Sequence, residues 1–174
     1  MEDDFIFERT SVRSFTDEPV AAEDLERLLR AAMAAPSATN QQPWEFWIVT
    51  ERKRLEELSS CSPYAGPTKR AAAAIVPCIK TEGVPVPGMA AQDMGAATEN
   101  LLLEATHLGL GAVWQGIYPD QERADAVARF LGIAGRHDIV PFAIVAVGHP
   151  ARKPAPTGPG RFDPARIHWD GRRT

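Results

Sequence analysis

Cysteine is scarce in this chain: only Cys61 and Cys78 occur in 174 residues. They form no Cys-x-x-Cys pair and have no histidine-rich surroundings, which argues against a zinc site and for two reduced thiols. Long apolar runs are also missing, and none approaches the roughly 20 residues needed to cross a bilayer. The first residues, Met1-Glu2-Asp3-Asp4, are acidic where a secretion signal is basic and then apolar. A soluble, cytoplasmic protein with no membrane partner is therefore expected. Neither sign of charge dominates, because 19 Lys and Arg face 23 Asp and Glu for a net charge of −4. No global field would recruit nucleic acid.

The usual catalytic signatures are absent too. The histidines His107, His137, His149 and His168 are scattered without metal-ligand spacing. His107 lies near the end of a long helical pattern, where a cation suits the helix dipole. Ser11 and Ser37 have no G-x-S-x-G context. Neither GxGxxG nor GxxxxGK(S/T) occurs. Gly109-Leu110-Gly111 resembles a fragment of the former but ends a helix instead of opening one. Asp93 and Glu99 share the long helix without forming an acid–base pair, so a capping or interface ion pair is expected of them.

What remains is an ordinary globular composition, 44% hydrophobic and 24% charged. The length suits a single domain over residues 1–174. Leu25, Leu28, Leu29, Ala32 and Met33 make one stripe on a helix predicted over Ala22 to Ala35. A proline-bracketed polar loop, Pro36 to Pro43, leads to a predicted strand over Trp44 to Thr50. A short helix over Arg52 to Leu58 precedes a strand over Ala71 to Ile79, in which Pro77 argues for a sheet edge or a strand end. Thr81 to Gly88 reads as a loop. The strongest helix runs from Met89 to about Leu108, ended by Gly109 and Gly111. Ala112-Val113-Trp114 starts a buried strand, Asp120 to Leu131 forms another helix, and Ile139 to Gly148 is one central strand. Helices alternate with strands, so the class is mixed α and β. The tail after Pro150 is too polar to add to a core, yet Phe162, Ile167 and Trp169 need something to pack against; a partner subunit is one answer.

Two segments could carry chemistry. In Arg9-Thr10-Ser11-Val12-Arg13-Ser14-Phe15, two guanidinium groups and several hydroxyls are compressed into a short stretch. Guanidinium binds phosphate bidentately, and hydroxyls and amides can complete the cage. A basic, solvated arm is the plain alternative. The loop Pro36 to Pro43 offers Ser37, Thr39, Asn40, Gln41 and Gln42, whose amides can read the edge of a heterocycle; an exposed connection is the plain alternative there. A phosphate cage and amide loops without catalytic side chains suggest that a bound cofactor does the chemistry.

The order of four segments resembles the nitroreductase family of FMN-dependent oxidoreductases. Arg9 to Phe15 is similar to its RxSxRxF motif, and Ala35 to Trp44 to its APSxxNxQPW motif. Gln92-Asp93 through Asn100, Glu104-Ala105 and Leu108 to Gly111 resemble its central helix, followed by Val113 to Gly116. Phe142 to Pro150 resembles its last core strand, with Arg161-Phe162-Asp163 beyond.

This resemblance implies an α+β fold around a central mixed, mainly antiparallel sheet flanked by helices. It implies a homodimer with FMN at the subunit interface and a domain-exchanged tail, residues 150–174, packing on the partner. Arg9, Thr10, Ser11 and Arg13 would hold the phosphate and ribityl chain and approach the pyrimidine edge. Pro36, Ser37, Ala38 and Asn40 would come from the partner. Trp114, Gln115 and Gly116 would lie beside the isoalloxazine with a backbone N–H near N5. Arg161, helped by Arg152 or Lys153, would complete the phosphate site. NAD(P)H would deliver hydride to the flavin, and a nitroaromatic, quinone or similar conjugated acceptor would then bind in the same place, a ping-pong cycle. Positive charge near N1 and O2 would stabilise the reduced flavin. Reductive dehalogenation, flavin breakdown and flavin binding without turnover are the alternatives on the same fold. The brevity of Thr81 to Ala90, where larger relatives place more helix, leaves acceptor choice open; Met89 and Tyr64 are candidates to line the pocket.

Overall fold

The computed structural model describes residues 5–156 and 159–171. Met1–Asp4, residues 157–158 and 172–174 lie outside the described residues, and with them the acidic N-terminus and part of the tail. A short helix α1 (Phe5–Glu8) is followed by α2 (Ala22–Met33), β1 (Trp44–Val49), α3 (Arg52–Ser59) and β2 (Ala73–Lys80). The long helix α4 (Ala90–His107) leads into β3 (Gly111–Gly116), α5 (Gln121–Leu131), β4 (Ile139–Pro141) and β5 (Ala143–Gly148).

The sheet order is β1-β2-β5-β3, with β4 pairing β2 beside β5. The strand pairs β1–β2, β2–β4, β2–β5 and β3–β5 are antiparallel, and an isolated bridge between Ser11 and Ala112 is parallel. Side chains alternate across each strand. Ala73 and Ile75 of β2, with Val145 and Val147 of β5, therefore pack against Leu25, Leu28 and Ala32 of α2 and Ala97, Leu101 and Ala105 of α4. On the opposite face Ala74, Val76, Cys78 and Ile144 meet Leu55 and Leu58 of α3 and Ala124 and Val127 of α5. The result is a sheet covered by helices on both faces, and β2 and β5 are buried along nearly their whole length.

Three expectations need correction. Pro77 lies inside β2, a central strand, and not at an edge. Its missing N–H is tolerated because Phe142, opposite it, turns its backbone. The Phe142 N–H donates to the Pro77 carbonyl at 2.9 Å, while the Phe142 carbonyl accepts from Ile117 and Tyr118 at 3.2 and 3.0 Å. No acceptor on that side faces the imide nitrogen. The same turn divides the predicted Ile139 to Gly148 strand into β4 and β5. Gly111, expected to help end the long helix, instead begins β3. Gly109 alone takes the left-handed conformation, with φ +73°, and the Leu110 N–H closes back onto the Ala105 carbonyl at 2.8 Å.

Helix α4 is anchored to α2 by an ion pair between Arg27 and Glu104 and by Asn100 Nδ2, which donates to the Ala31 carbonyl at 3.1 Å. It is the rod to which both candidate site segments attach.

Candidate functional site

Residues Arg9 to Phe15 run along the outer side of β3. The Val12 N–H donates to the Ala112 carbonyl at 3.0 Å, and Phe15 is buried with Ala71, Val113 and Ala146. The segment then clasps the start of the tail. The Thr16 N–H donates to the His149 carbonyl at 2.9 Å, and the Ala151 N–H to the Ser14 carbonyl at 3.0 Å. These bonds bring two distant basic stretches together. Thr10, Ser11 and Arg13 share with Arg152 and Lys153 an open cleft of about 550 Å³. A smaller cleft of about 330 Å³ also uses Thr10 and Lys153, and adds Leu110 and Pro150.

Arg13 is exposed, with a long 3.4 Å contact to the Ser11 carbonyl. Arg9 lies differently: half-buried, its Nε is 3.3 Å from the Glu99 carboxylate on α4. The predicted ion pair of Glu99 is thus made with the arginine segment itself. Arg161, at the end of a short 3-10 turn (Pro159–Arg161), does not line the cleft that holds Arg152.

Beside this cleft is the open edge of the sheet. Backbone groups of residues two apart in a strand point the same way. Since the Ala112 carbonyl faces outward to Val12, the N–H groups of Trp114 and Gly116 face outward as well, and among the described residues no strand pairs with that edge. A Cβ on Gly116 would meet nothing within 4 Å, whereas one on Gly95 of α4 would lie 3.9 Å from the Trp114 ring. The Gln115 side chain takes the opposite direction. It is buried, and in the orientation that satisfies both amide atoms its nitrogen donates to the Tyr64 and Ala65 carbonyls at 3.1 Å each. The Gln115 side chain is therefore closed to a ligand, and by the same alternation its backbone groups face Ile144 of β5.

The loop Pro36 to Pro43 is wound tightly. Thr39, Asn40 and Gln42 all have positive φ, at 51°, 58° and 48°. Such conformations cost on the order of 1–3 kcal/mol each and persist only where surroundings impose them. The constraint is Asp93, 5% exposed in the first turn of α4. Its Oδ1 accepts from the Ala38 N–H at 3.0 Å and its Oδ2 from Gln41 Nε2 at 2.7 Å. Within the loop, Ser37 Oγ accepts from the Gln42 N–H at 3.0 Å. Asn40 is left exposed at the tip and Pro36 beside it. Sequence reasoning left Asp93 as a generic cap; a carboxylate on a helix otherwise apolar around that turn was the available signal, because a buried charge requires partners.

Neither cleft that holds Thr10 includes Pro36, Ser37, Ala38 or Asn40. Within one chain the two candidate walls stay apart, attached to α4 at Asp93 and at Glu99. Neither cysteine is an activated thiolate: burial pushes both the Cys61 and the Cys78 thiol up. Among the described residues there is no group of three or more potential metal ligands, and no helix is long and apolar enough to cross a membrane.

The donor set suits a phosphorylated ligand with a heteroaromatic ring. Guanidinium, ammonium and hydroxyl groups converge in one cleft, and outward-facing N–H groups of β3 lie beside it. The Nitroreductase family model matches residues 6–83 and 68–149. The chain belongs to the nitroreductase family. A relative in Archaeoglobus fulgidus, provisionally named an NADH dehydrogenase/NAD(P)H nitroreductase, is 42% identical over 165 residues, covering 94% of each chain. A solved structure from Clostridium acetobutylicum, provisionally named an NADH oxidase, is 42% identical with a TM-score of 0.91, covering 96% of this chain and 99% of that one. Another, from Desulfovibrio desulfuricans, is provisionally named a nitroreductase and was solved in complex with FMN. It is 31% identical with a TM-score of 0.76 over 87% of each chain. Membership of the nitroreductase family makes the chain an oxidoreductase and agrees with its α+β fold and antiparallel sheet.

Proposed function

We propose that this chain is a homodimeric FMN-dependent oxidoreductase that draws reducing equivalents from NADH or NADPH and reduces nitroaromatic, quinone or similar conjugated acceptors. The observation that carries this reading is the cleft where Thr10, Ser11 and Arg13 meet Arg152 and Lys153 beside the open edge of β3. FMN, when bound, supplies the redox chemistry, passing two electrons from the nicotinamide to the acceptor in a ping-pong cycle.

The residues then have distinct tasks. Arg13, Arg152 and Lys153 offset the phosphate charge, and the Thr10 and Ser11 hydroxyls fill its remaining acceptor sites. The Trp114 and Gly116 N–H groups are donors in fixed positions for a ring heteroatom, and fixed donors need no reorganisation as charge develops. Arg9, held by Glu99, braces the segment against α4. No side-chain acid or base is required in this scheme.

A second subunit is part of the proposal because one chain supplies its two walls at separate places. A second copy packed along α4 would bring Pro36, Ser37, Ala38 and Asn40 to the cleft of the first. It would also give Phe162, Ile167 and Trp169 a surface to cover, since all three are exposed in the tail. Arg161, outside the cleft of its own chain, would then serve the phosphate across the interface.

The test is an absorbance spectrum of the purified protein followed by anaerobic titration with NADH and with NADPH. A bound-flavin spectrum that bleaches with either nucleotide is expected. Colourless protein that takes up no FMN on reconstitution would overturn the reading.

A further inference from the structure

Gln41 ties together segments that are far apart in the chain. Its carboxamide meets both backbone groups of Val86: Nε2 donates to the Val86 carbonyl at 3.0 Å, and Oε1 accepts from the Val86 N–H at 2.8 Å. This two-point contact copies the exchange of bonds between directly paired strand residues, so it sets orientation as well as distance. The same Nε2 reaches Asp93, which also holds the Ala38 N–H. The tight loop, the first turn of α4 and the stretch 81–89 are thus tied to one another by hydrogen bonds.

That stretch has little else to place it. Thr81 is bonded to the His137 and Asp138 carbonyls at its start. At its end a 3-10 turn (Pro87–Met89) enters α4, whose Ala90 and Met94 pack with Phe142, Trp114 and Trp44. Between these ends Val86 is the tethered point. The side chains on offer, Val84, Pro85, Pro87 and Met89, are apolar, two prolines stiffen the run, and it carries no cation.

We propose that Gln41 is a specificity-positioning residue: by docking Val86 it fixes residues 81–89 as a wall for uncharged, planar conjugated acceptors. The proposal rests on the flavin reading above, since it presumes that the loop holding Gln41 borders the flavin. Gln41 need touch neither flavin nor acceptor; it acts through the wall it holds.

Holoenzyme kinetics with menadione, a two-ring quinone, and benzoquinone, a single ring, test this in Gln41→Leu and Gln41→Glu. In Gln41→Leu both Val86 bonds are lost, and the ratio of kcat/KM for menadione to that for benzoquinone should fall about tenfold, the scale expected of a misplaced positioning contact. In Gln41→Glu the new carboxyl can, when protonated, donate to Asp93 and accept from the Val86 N–H; once ionised it faces Asp93 as a like charge. Because that single proton cannot also serve the Val86 carbonyl, its acceptor ratio should lie between wild type and Gln41→Leu at low pH and fall further as pH rises, while the wild-type ratio stays flat. A role confined to stability would shift unfolding but leave these ratios unchanged. An unchanged ratio in FMN-loaded Gln41→Glu across the pH range overturns the proposal even if Gln41→Leu fails to fold. A wild-type protein that binds no FMN would overturn the flavin reading itself, and this inference with it.

Discussion

Val12 packs so closely over Gly111 that a Cβ at that glycine would lie 2.6 Å from Val12 Cγ1 and 2.7 Å from Val12 Cβ. The contact is with the stem of a β-branched side chain, which cannot swing aside cheaply. It seats the arginine segment on β3 while the Val12 N–H bonds Ala112. Gly111→Ala must push that segment outward. A loss of about 1–3 kcal/mol of stability is expected, measured by urea unfolding, together with weaker FMN retention. Wild-type values for both would show that the segment adjusts freely.

Arg13 is the exposed guanidinium of the cleft. Arg13→Ala should lower FMN affinity by roughly 1.5–3 kcal/mol, the contribution of a charge-assisted bond. Arg13→Lys keeps the charge but not the planar fork, so its loss should be smaller. Flavin fluorescence titration of apoprotein distinguishes them, and equal affinities for all three proteins would make the arginine peripheral.

Asp93→Ala leaves the Ala38 N–H without its acceptor and Gln41 Nε2 with the Val86 carbonyl alone. An unsatisfied buried group costs about 1–3 kcal/mol, and the positive-φ conformations of Thr39, Asn40 and Gln42 lose the contact that imposes them. Lower stability and faster hydrogen exchange across residues 37–42 are expected. An unaltered exchange pattern would locate the constraint elsewhere.

Cys78 makes alkaline stability testable. Desolvation, reinforced by nearby Glu45, raises its thiol far above the ordinary value of 9.0. Above that pH the unfolded chain loses this proton and the folded chain keeps it, so stability falls as pH rises. A single such group contributes a slope of at most about 1.4 kcal/mol per pH unit. Cys78→Ala should flatten the decline above pH 9.0 relative to wild type. A parallel decline in both proteins would assign the slope to other groups.

Trp169 is 71% exposed and Phe162 75% exposed in the tail of a single chain. If a partner covers them, Trp169→Ser should raise the dimer dissociation constant by about thirtyfold or more, since a buried aromatic anchor carries about 2 kcal/mol or above. Sedimentation across a concentration series measures it; an unchanged constant would remove the tail from the interface.

Much of this architecture was legible before any coordinates. The stripe Leu25, Leu28 and Ala32, the uninterrupted pattern of α4 and the apolar run of β5 each depend on a local period that burial enforces. Asp120, read from the sequence as the first residue of a helix, instead caps α5 by accepting from the Arg123 N–H at 3.1 Å. Pro77 was misplaced because propensity places a proline at an edge, whereas its tolerance here depends on the turned backbone of Phe142, sixty-five positions later.

By itself the sequence determined the element types, the mixed class and the family, because periodicity, glycine and proline chemistry, and motif order are local properties of the chain. Only the tertiary structure decided that Arg152 and Lys153 join Arg13 while Arg161 does not, that Gln115 turns inward, and that Gln41 and Asp93 lock the tight loop to Val86. Those relations arise where strands and loops from remote positions are forced into contact, and there buried donors and acceptors must find partners wherever packing brings them.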